Sequence, residues 1–492
     1  MELAAELRQA LDGLCAIGAP EVRENGEWLA GLEGVQYEVS AQGEAALLHL
    51  WSSQQTLVRR VLRVAEESGG RVVLEVSRLG YSRHAELEFV AVGARRETRR
   101  VEREQFSSRL RRILTDHFPD ETVESLAVSA DLHHSISGSY TRGLVRRGSE
   151  AYAVLGASPN EDSATIDGIL TFGLLWLQLA RDRARRYSVH GLRLFLPRGS
   201  SSITAHRMGA LASAQEVELY EYEPLHWRVR RIARSNAGNL ATWIVPRREI
   251  EQAIAAAMPL AERIRRLSPE AIRVGVAPAT QEVTLRFRGM EFARWRLGAM
   301  WYGLGDCQQA LTPERWAALE ALVRQLETHR HPLASDTKHR LYRAQPERWL
   351  ETMVAADPAR IEARLNPQHI YAQVPAFSSG DRGIIDLLGV TRDGRLAVLE
   401  LKASEDIQLV MQAVDYWLRV RFHHDQDDFR RYGYFPEVRL NAKPPLLFLV
   451  APGFQFHPSI DIVLRCLSPE IEIARVALGE NWRRGLRVVF RQ

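Results

Sequence analysis

Lysine is almost absent. Of the 65 basic residues in this 492-residue chain only Lys338, Lys402 and Lys443 are lysine, and the rest are arginine. Cysteine is as scarce: Cys15, Cys307 and Cys466 lie too far apart to form a disulfide framework or zinc-type pairs, and read as buried thiols. The histidine clusters His133-His134, His329-x-His331 and His423-His424 lack companion ligands at zinc spacing and read as surface or interdomain residues. No apolar run could span a bilayer, since the longest, Ile169 to Ala180, is broken by Thr171 and Gln178. The opening Met1-Glu-Leu-Ala-Ala-Glu-Leu-Arg8 has neither the basic start nor the apolar centre of a signal peptide. A cytoplasmic protein without a membrane partner is expected. No Gly-x-x-x-x-Gly-Lys-Ser/Thr loop occurs, so any ATPase or helicase partner must be a separate chain.

What is present is a globular composition, 46% apolar and 26% charged, at a length that suggests about three domains. The formal charge of +4 is unevenly spread. Residues 226 to 343 carry 20 Lys+Arg against 11 Asp+Glu, a net +9, which leaves −5 for the remainder. Within that basic stretch Arg286, Arg288, Arg294 and Arg296 fall on alternating strand positions, beside Phe287, Trp295, Trp301 and Tyr302. Arginines for phosphates and aromatics for bases make a nucleic-acid footprint, with an ordinary charged sheet face as the alternative.

Along the chain, residues 1 to 135 read as an α+β domain with strands near 71–78 and 86–92 and a charged helix from Val101 to His117. Residues 136 to 225 give a hairpin (139–155), an apolar helix (164–183), a strand (192–197), a short helix and a strand (217–221). The same order recurs at 384–403, 406–421, 446–450, 458–467 and 470–476, which predicts a diverged internal repeat. Trp176-Leu177 against Trp417-Leu418 supports it, and Trp176 is expected to sit like Trp417. Between the copies, 226–340 reads as a basic α+β region whose tail, His329 to Arg343, looks like a linker. The last domain is expected at 341–492. The chain as a whole is thus expected to be an α/β and α+β multidomain protein.

The residues that carry chemistry lie in Gly383-Ile-Ile-Asp386-Leu-Leu-Gly-Val-Thr-Arg-Asp393-Gly394-Arg-Leu-Ala-Val-Leu-Glu400-Leu-Lys402. Asp393-Gly394 marks a turn between two apolar runs, hence a hairpin. A turn centred on Asp393 puts Asp386 across from Glu400, about 5 Å away, with Lys402 on the same face as Glu400. Two like charges so close on an apolar hairpin need a cation between them, and two carboxylates plus waters is how Mg²⁺ is commonly held. An incidental surface cluster is the plainer alternative. Against it, Glu400 and Lys402 interrupt Val-Leu-Glu-Leu-Lys-Ala, where burial should select apolar residues.

These residues resemble the PD-(D/E)XK nuclease superfamily, Asp386 matching its strand aspartate and Glu400-Leu-Lys402 its E-x-K. Gln412-Ala-Val-Asp-Tyr416 resembles the Q-x-x-x-Y signature of the RecB-like branch, and the layout resembles the catalytic domain of NucS-type endonucleases. The resemblance covers about 150 residues and implies a restriction-endonuclease-like α/β fold there, a mixed central sheet flanked by helices, with 136–225 as its degenerate copy. It implies that Asp386, Glu400 and the Leu401 carbonyl hold Mg²⁺, for which Mn²⁺ could substitute, and that Glu351, preferred to Glu347, completes the site from the opening helix. Lys402 would position the attacking water or stabilise developing charge, and Gln412 and Tyr416 would orient nucleic acid or Lys402. The expected function is therefore a DNase of repair or of defence against foreign DNA. A ribonuclease and a non-catalytic nucleic-acid-binding protein are the alternatives. In the earlier copy, Ala153-Val-Leu-Gly-Ala-Ser158 is aligned with Leu399 to Ser404, so that Val154 and Gly156 replace Glu400 and Lys402. That copy should be catalytically dead and serve structure, substrate clamping or homodimerisation.

Overall fold

Strands Arg71–Ser77 and His84–Ala91, legible from their alternation, are neighbours in a seven-stranded antiparallel sheet of the computed structural model. The structure describes the chain apart from residues 1, 18–19, 25–26, 32–35, 43–44, 52–55, 69, 78–83, 132–133, 234–241, 278–279, 281, 306 and 379–382. Its contacts divide it into two units, Met1–Arg99 with Glu249–Met353, and Arg100–Arg248 with Val354–Gln492. The architecture is mixed α/β with several sheets, and among the described residues no helix is long and apolar enough to cross a membrane.

In the first unit the helix Glu2–Ile17 buries Leu7, Leu11 and Leu14, one face at helical spacing, against Val22, Leu48, Leu74 and Phe89 of the seven-stranded sheet. A second core forms where a five-stranded antiparallel meander, 272–310, packs on the helix Trp316–His329 through Leu285, Phe292, Leu319, Val323 and Leu326. The stretch 329–343, expected to be a linker, is anchored instead. Arg330 is fully buried, and its guanidinium donates to the carbonyls of Arg288, Leu341, Ala344 and Gln345. Five donors in a fixed fork can satisfy four buried carbonyls at once, one more than the three N–H groups of a lysine. Two of the cysteines also depart from expectation: Cys466 is buried, but Cys15 and Cys307 are exposed.

The second unit is built twice from one pattern. Three antiparallel strands, Thr122–Ala127, Tyr140–Arg147 and Glu150–Ala157, are followed by Ser188–Pro197 and Glu216–Tyr222 in parallel and Val229–Ile232 antiparallel. The other sheet repeats this with Leu365–Ser378, Ile384–Thr391, Leu396–Leu401, Leu446–Pro452, Ile473–Leu478 and Val488–Arg491, and adds Thr242–Ile244 beside its first strand. In both, a long helix joins the third and fourth strands (Ile169–Arg183, Leu409–Asp425) and a short one the fourth and fifth (Ser202–Met208, Ile460–Leu464). A boundary at 225 thus cuts between adjacent strands of one sheet. One at 135 separates that sheet from the helix Val92–His117, whose Phe106, Leu110 and Leu114 pack on Val154, Phe195 and Tyr222.

The two halves share a core formed by the helix-covered faces of both sheets. Their contact is isologous. Leu211 and Leu467, each three residues beyond its short helix, form a β-bridge, with Ala212 N–H donating to Cys466 O (2.9 Å) and Ser468 N–H to Ala210 O (2.8 Å). The tryptophans do not correspond as expected: Trp176 Nε1 donates to Gly143 O on the hairpin side, Trp417 Nε1 to Pro445 O on the opposite flank. The alignment of 153–158 also shifts by one. Ala153, Leu155 and Ala157 face the shared core with Leu396 and Val398, whereas Val154 faces the helix Val92–His117. Side chains alternate along a strand, so the counterparts of Glu400 and Lys402 are Leu155 and Ala157, not Val154 and Gly156.

A buried charge cluster spans the halves. Arg419 pairs with Asp415 at 3.0 Å on the long helix of the second half, and His206 from the short helix of the first approaches the same carboxylate at 3.3 Å. His423, expected at the surface or between domains, is also buried, with Nδ1 2.8 Å from Asp428. Burial alone would push the Asp415 carboxyl up, but His206, Arg419 and Arg207 bring it down to about 2. Because the folded value lies below the ordinary 3.8, Asp415 stabilises the fold above that pH, and the contribution fades as pH falls from 3.8 through about 2. Its size is of order 2 kcal/mol. Asp415→Asn leaves Arg419 buried without its counter-charge and should cost about 3–5 kcal/mol in denaturant melts at neutral pH. The stability of the variant should then fall less steeply than the native between pH 4 and 2, and parallel acid limbs would refute the assignment.

Candidate active site

The hairpin Ile384–Thr391 and Leu396–Leu401 pairs Leu387 with Leu399, Leu388 with Val398, Gly389 with Ala397 and Val390 with Leu396, the register expected from the turn. Gly394 in that turn has φ 83°, and an added Cβ would lie 2.1 Å from Arg439 O, so both conformation and space demand glycine. Continued by one pair, the register sets Asp386 opposite Glu400. The ladder ends just there. The Leu401 N–H, which the next rung would give to the neighbouring backbone, donates to Asp386 Oδ2 at 3.1 Å. Carbonyl and amide of one residue in such a ladder face the same strand, so the Leu401 carbonyl borders the same gap.

Glu400 is 1% exposed in a strand buried on both faces. Its face is that of Leu396 and Val398, toward the helix Leu409–Asp425. Lys402 follows on that face, its ammonium 3.8 Å from Glu400 Oε1 and 3.3 Å from Asp406 Oδ2, its backbone N–H fixed to Val450 O at 3.0 Å. From the helix, Gln412 Nε2 donates to Tyr416 Oη at 3.3 Å. Burial, and then the charges of Glu400 and Asp386, push the Tyr416 phenol up against the opposing bond from Gln412. The structure thus brings the side chains of Asp386, Glu400, Lys402, Gln412 and Tyr416 to one side of one sheet, with the Leu401 backbone at the gap between the first two. Tyr416 is a neutral hydroxyl there at any ordinary pH.

The remaining expected residues belong to the first unit. Glu351 is buried on the helix Pro346–Ala356 with Oε2 2.8 Å from Arg348 Nη1. Arg294 lies between Glu282 (2.7 Å) and Glu291 (2.7 Å), so its charge is matched locally. Burial pushes the Arg286 guanidinium down, partly offset by the charge of Glu351. Arg288 falls beyond the end of its strand, at φ 44° in the tight turn before Met290, and so does not continue the alternating row. Arg296 covers the Trp301 ring at 4.2 Å from its centroid.

Sequence reasoning missed Asp406, whose carboxylate lies nearer the Lys402 ammonium than that of Glu400 does. The signal was available as an acidic residue four positions after the lysine, where the loop turns into a helix. Among the described residues no group of three or more His, Cys, Asp or Glu side chains has the geometry to hold a metal ion. A hard divalent cation here would take two carboxylates, a backbone carbonyl and water, and Asp386, Glu400 and Leu401 fit that donor set. No model of a known protein family matches the chain, and no curated protein does.

The two carboxylates carry different structural duties, so their removal should act oppositely on stability. Asp386→Ala deprives the Leu401 amide of its acceptor and should cost about 1–3 kcal/mol. Glu400→Gln keeps the shape and removes a like charge from beside Asp386, so its melting temperature in EDTA should equal or exceed the native one. Equal losses in both would remove the charge-repulsion argument.

Proposed function

We propose that the second half of the second unit, residues 354–492, is a divalent-cation-dependent nuclease whose reaction is carried by Asp386, Glu400 and Lys402. The observation that supports this most is the buried Glu400, set in register opposite Asp386 where the hairpin ladder ends, with the Lys402 ammonium 3.8 Å away. A stable core has no use for that arrangement. An ionised carboxylate in such a strand is costly unless a cation or donors offset it, and an apolar residue would have served packing better. The sheet supports a restriction-endonuclease-like fold: an antiparallel hairpin running into parallel strands, crossed by the helix that bears Gln412 and Tyr416. The first half of the unit is then its degenerate copy, with Leu155 and Ala157 in the chemical positions.

Mg²⁺ held by Asp386, Glu400 and the Leu401 carbonyl would supply Lewis acidity at a phosphodiester. The chain's own groups do the rest. Lys402, anchored by its backbone to Val450, directs its ammonium to where negative charge develops or orients the attacking water. Tyr416, kept protonated, offers a hydroxyl beside the carboxylates, and Gln412 fixes its orientation. The substrate class is nucleic acid, DNA in the first instance.

Purified protein with Mg²⁺ or Mn²⁺ should cleave circular or linear DNA, and EDTA should stop it. Glu400→Gln and Lys402→Ala should each lower cleavage at least about 100-fold, the usual cost of losing a metal-site or charge-stabilising group, while circular dichroism stays native. Parallel arms with single-stranded DNA, duplex DNA and RNA decide the substrate. Full activity in both variants would refute the reading.

A further inference from the structure

The half that lacks the carboxylates touches the loop that carries Lys402. We propose that Thr171 and Gly168, in that half, are positioning residues for Lys402, acting through Gln408 and Asp406; the inference rests on the nuclease reading.

Asp406 is the hub of the loop. One carboxylate oxygen is 3.3 Å from Lys402 Nζ, while the other accepts the Gln408 N–H at 2.8 Å. Gln408 is the residue at which the helix Leu409–Asp425 begins, and its carbonyl receives the N–H of Gln412 at 2.9 Å. Its place therefore sets Asp406 on one side and the start of the Gln412–Tyr416 helix on the other.

Gln408 caps nothing with its own side chain. That side chain is committed to the other half. Its Oε1 accepts the Thr171 hydroxyl at 2.6 Å, and Thr171 is 1% exposed, so water is no ready substitute donor. Gly168 is buried one turn away, and a Cβ there would lie 2.7 Å from Gln408 Nε2, so any side chain would push the amide aside. A hydroxyl to hold the amide and a glycine to admit it are two separate features of the catalytically empty half, converging on one residue of the catalytic loop. Burial of the long helix Ile169–Arg183 does not require the hydroxyl, since an apolar residue at 171 would pack there as well, while at 168 a Cβ would also come within 3.1 Å of the Ala164 carbonyl and the Tyr140 hydroxyl.

Lysine scarcity makes the test direct, because only three lysines compete for an amine reagent and both others are exposed. The full-length protein is treated with substoichiometric acetic anhydride, and peptide mass spectrometry reads the labelling of Lys402 relative to Lys443. Asp406→Asn, Thr171→Val and Gly168→Ala should each raise that ratio about three- to tenfold, the change expected for one lost hydrogen bond, and Thr171→Ser should restore it. On a fluorescent single-stranded DNA with Mg²⁺, the same variants should lower kcat by a similar factor at unchanged KM. Circular dichroism melts identify any variant that fails to fold, and Thr171→Ser then carries the comparison with the native protein. A native ratio in Thr171→Val and Gly168→Ala, with Asp406→Asn raised, would overturn the role of the first half. A native ratio in all three would overturn the whole chain of contacts. If the native protein cleaves nothing yet the ratios change as expected, the coupling stands and the nuclease reading falls.

Discussion

Glu400 is the constraint around which the second unit is arranged. An ionised carboxylate moved into a strand buried on both faces costs several kcal/mol unless positive charge and donors surround it. The hairpin supplies part of the answer by ending its ladder at that point, so that Asp386 turns to the Leu401 amide and the two carboxylates border one gap. Lys402 supplies a positive charge 3.8 Å away, and it too is nearly enclosed, its side chain 12% exposed. A hydrophobic strand with this interruption is worse as a core element than one without it. The compensation comes from packing elsewhere, chiefly the core that the two halves form together.

That shared core explains how one half can carry apolar residues where the other carries Glu400 and Lys402 and still keep the same order of strands and helices. Each long helix is apolar over much of its circumference and must be covered by its own sheet and by the other half. Leu155 and Ala157 in the strand Glu150–Ala157 fill with apolar volume the positions that Glu400 and Lys402 occupy in the other copy. Such a replacement strengthens the core while removing the buried carboxylate and ammonium, so no stability cost opposes it at those two positions. The interface is less tolerant. His206, Asp415 and Arg419 close a buried cluster whose members come from both halves, and truncating one leaves the others uncompensated.

How much of this could be read in the sequence depended on whether the signal was local. The hairpin register was legible because Asp393-Gly394 fixes the turn and a period of two propagates it without ambiguity. The order of elements in the repeat was legible for the same reason, since each element announces itself over five to fifteen residues. The face of Ala153 to Ala157 was not, because every side chain in it is small or apolar and both faces are buried, so nothing marks parity. The tryptophans misled because a shared Trp-Leu pair says nothing about which flank of a helix it occupies, and a shift of one residue turns a side chain by about 100°. The anchoring of 329–343 was invisible, since a polar stretch looks like a linker until one sees a buried arginine bonded to four of its neighbours' carbonyls.

The arginine bias bears on both outcomes. Arg330 and Arg419 are buried and bind several backbone or carboxylate oxygens each, work for which a planar fork of donors is suited and an ammonium is not. A chain that meets its structural needs with guanidinium groups has little reason to bury a lysine. Lys402 is nearly buried all the same, its ammonium 3.8 Å from Glu400 and 3.3 Å from Asp406. An arginine there would bind one carboxylate in bidentate fashion and stay bound. A compact ammonium on a flexible stem can hold its place beside Glu400 and Asp406 and still turn toward a third negative group, which is what the proposed reaction would ask of it.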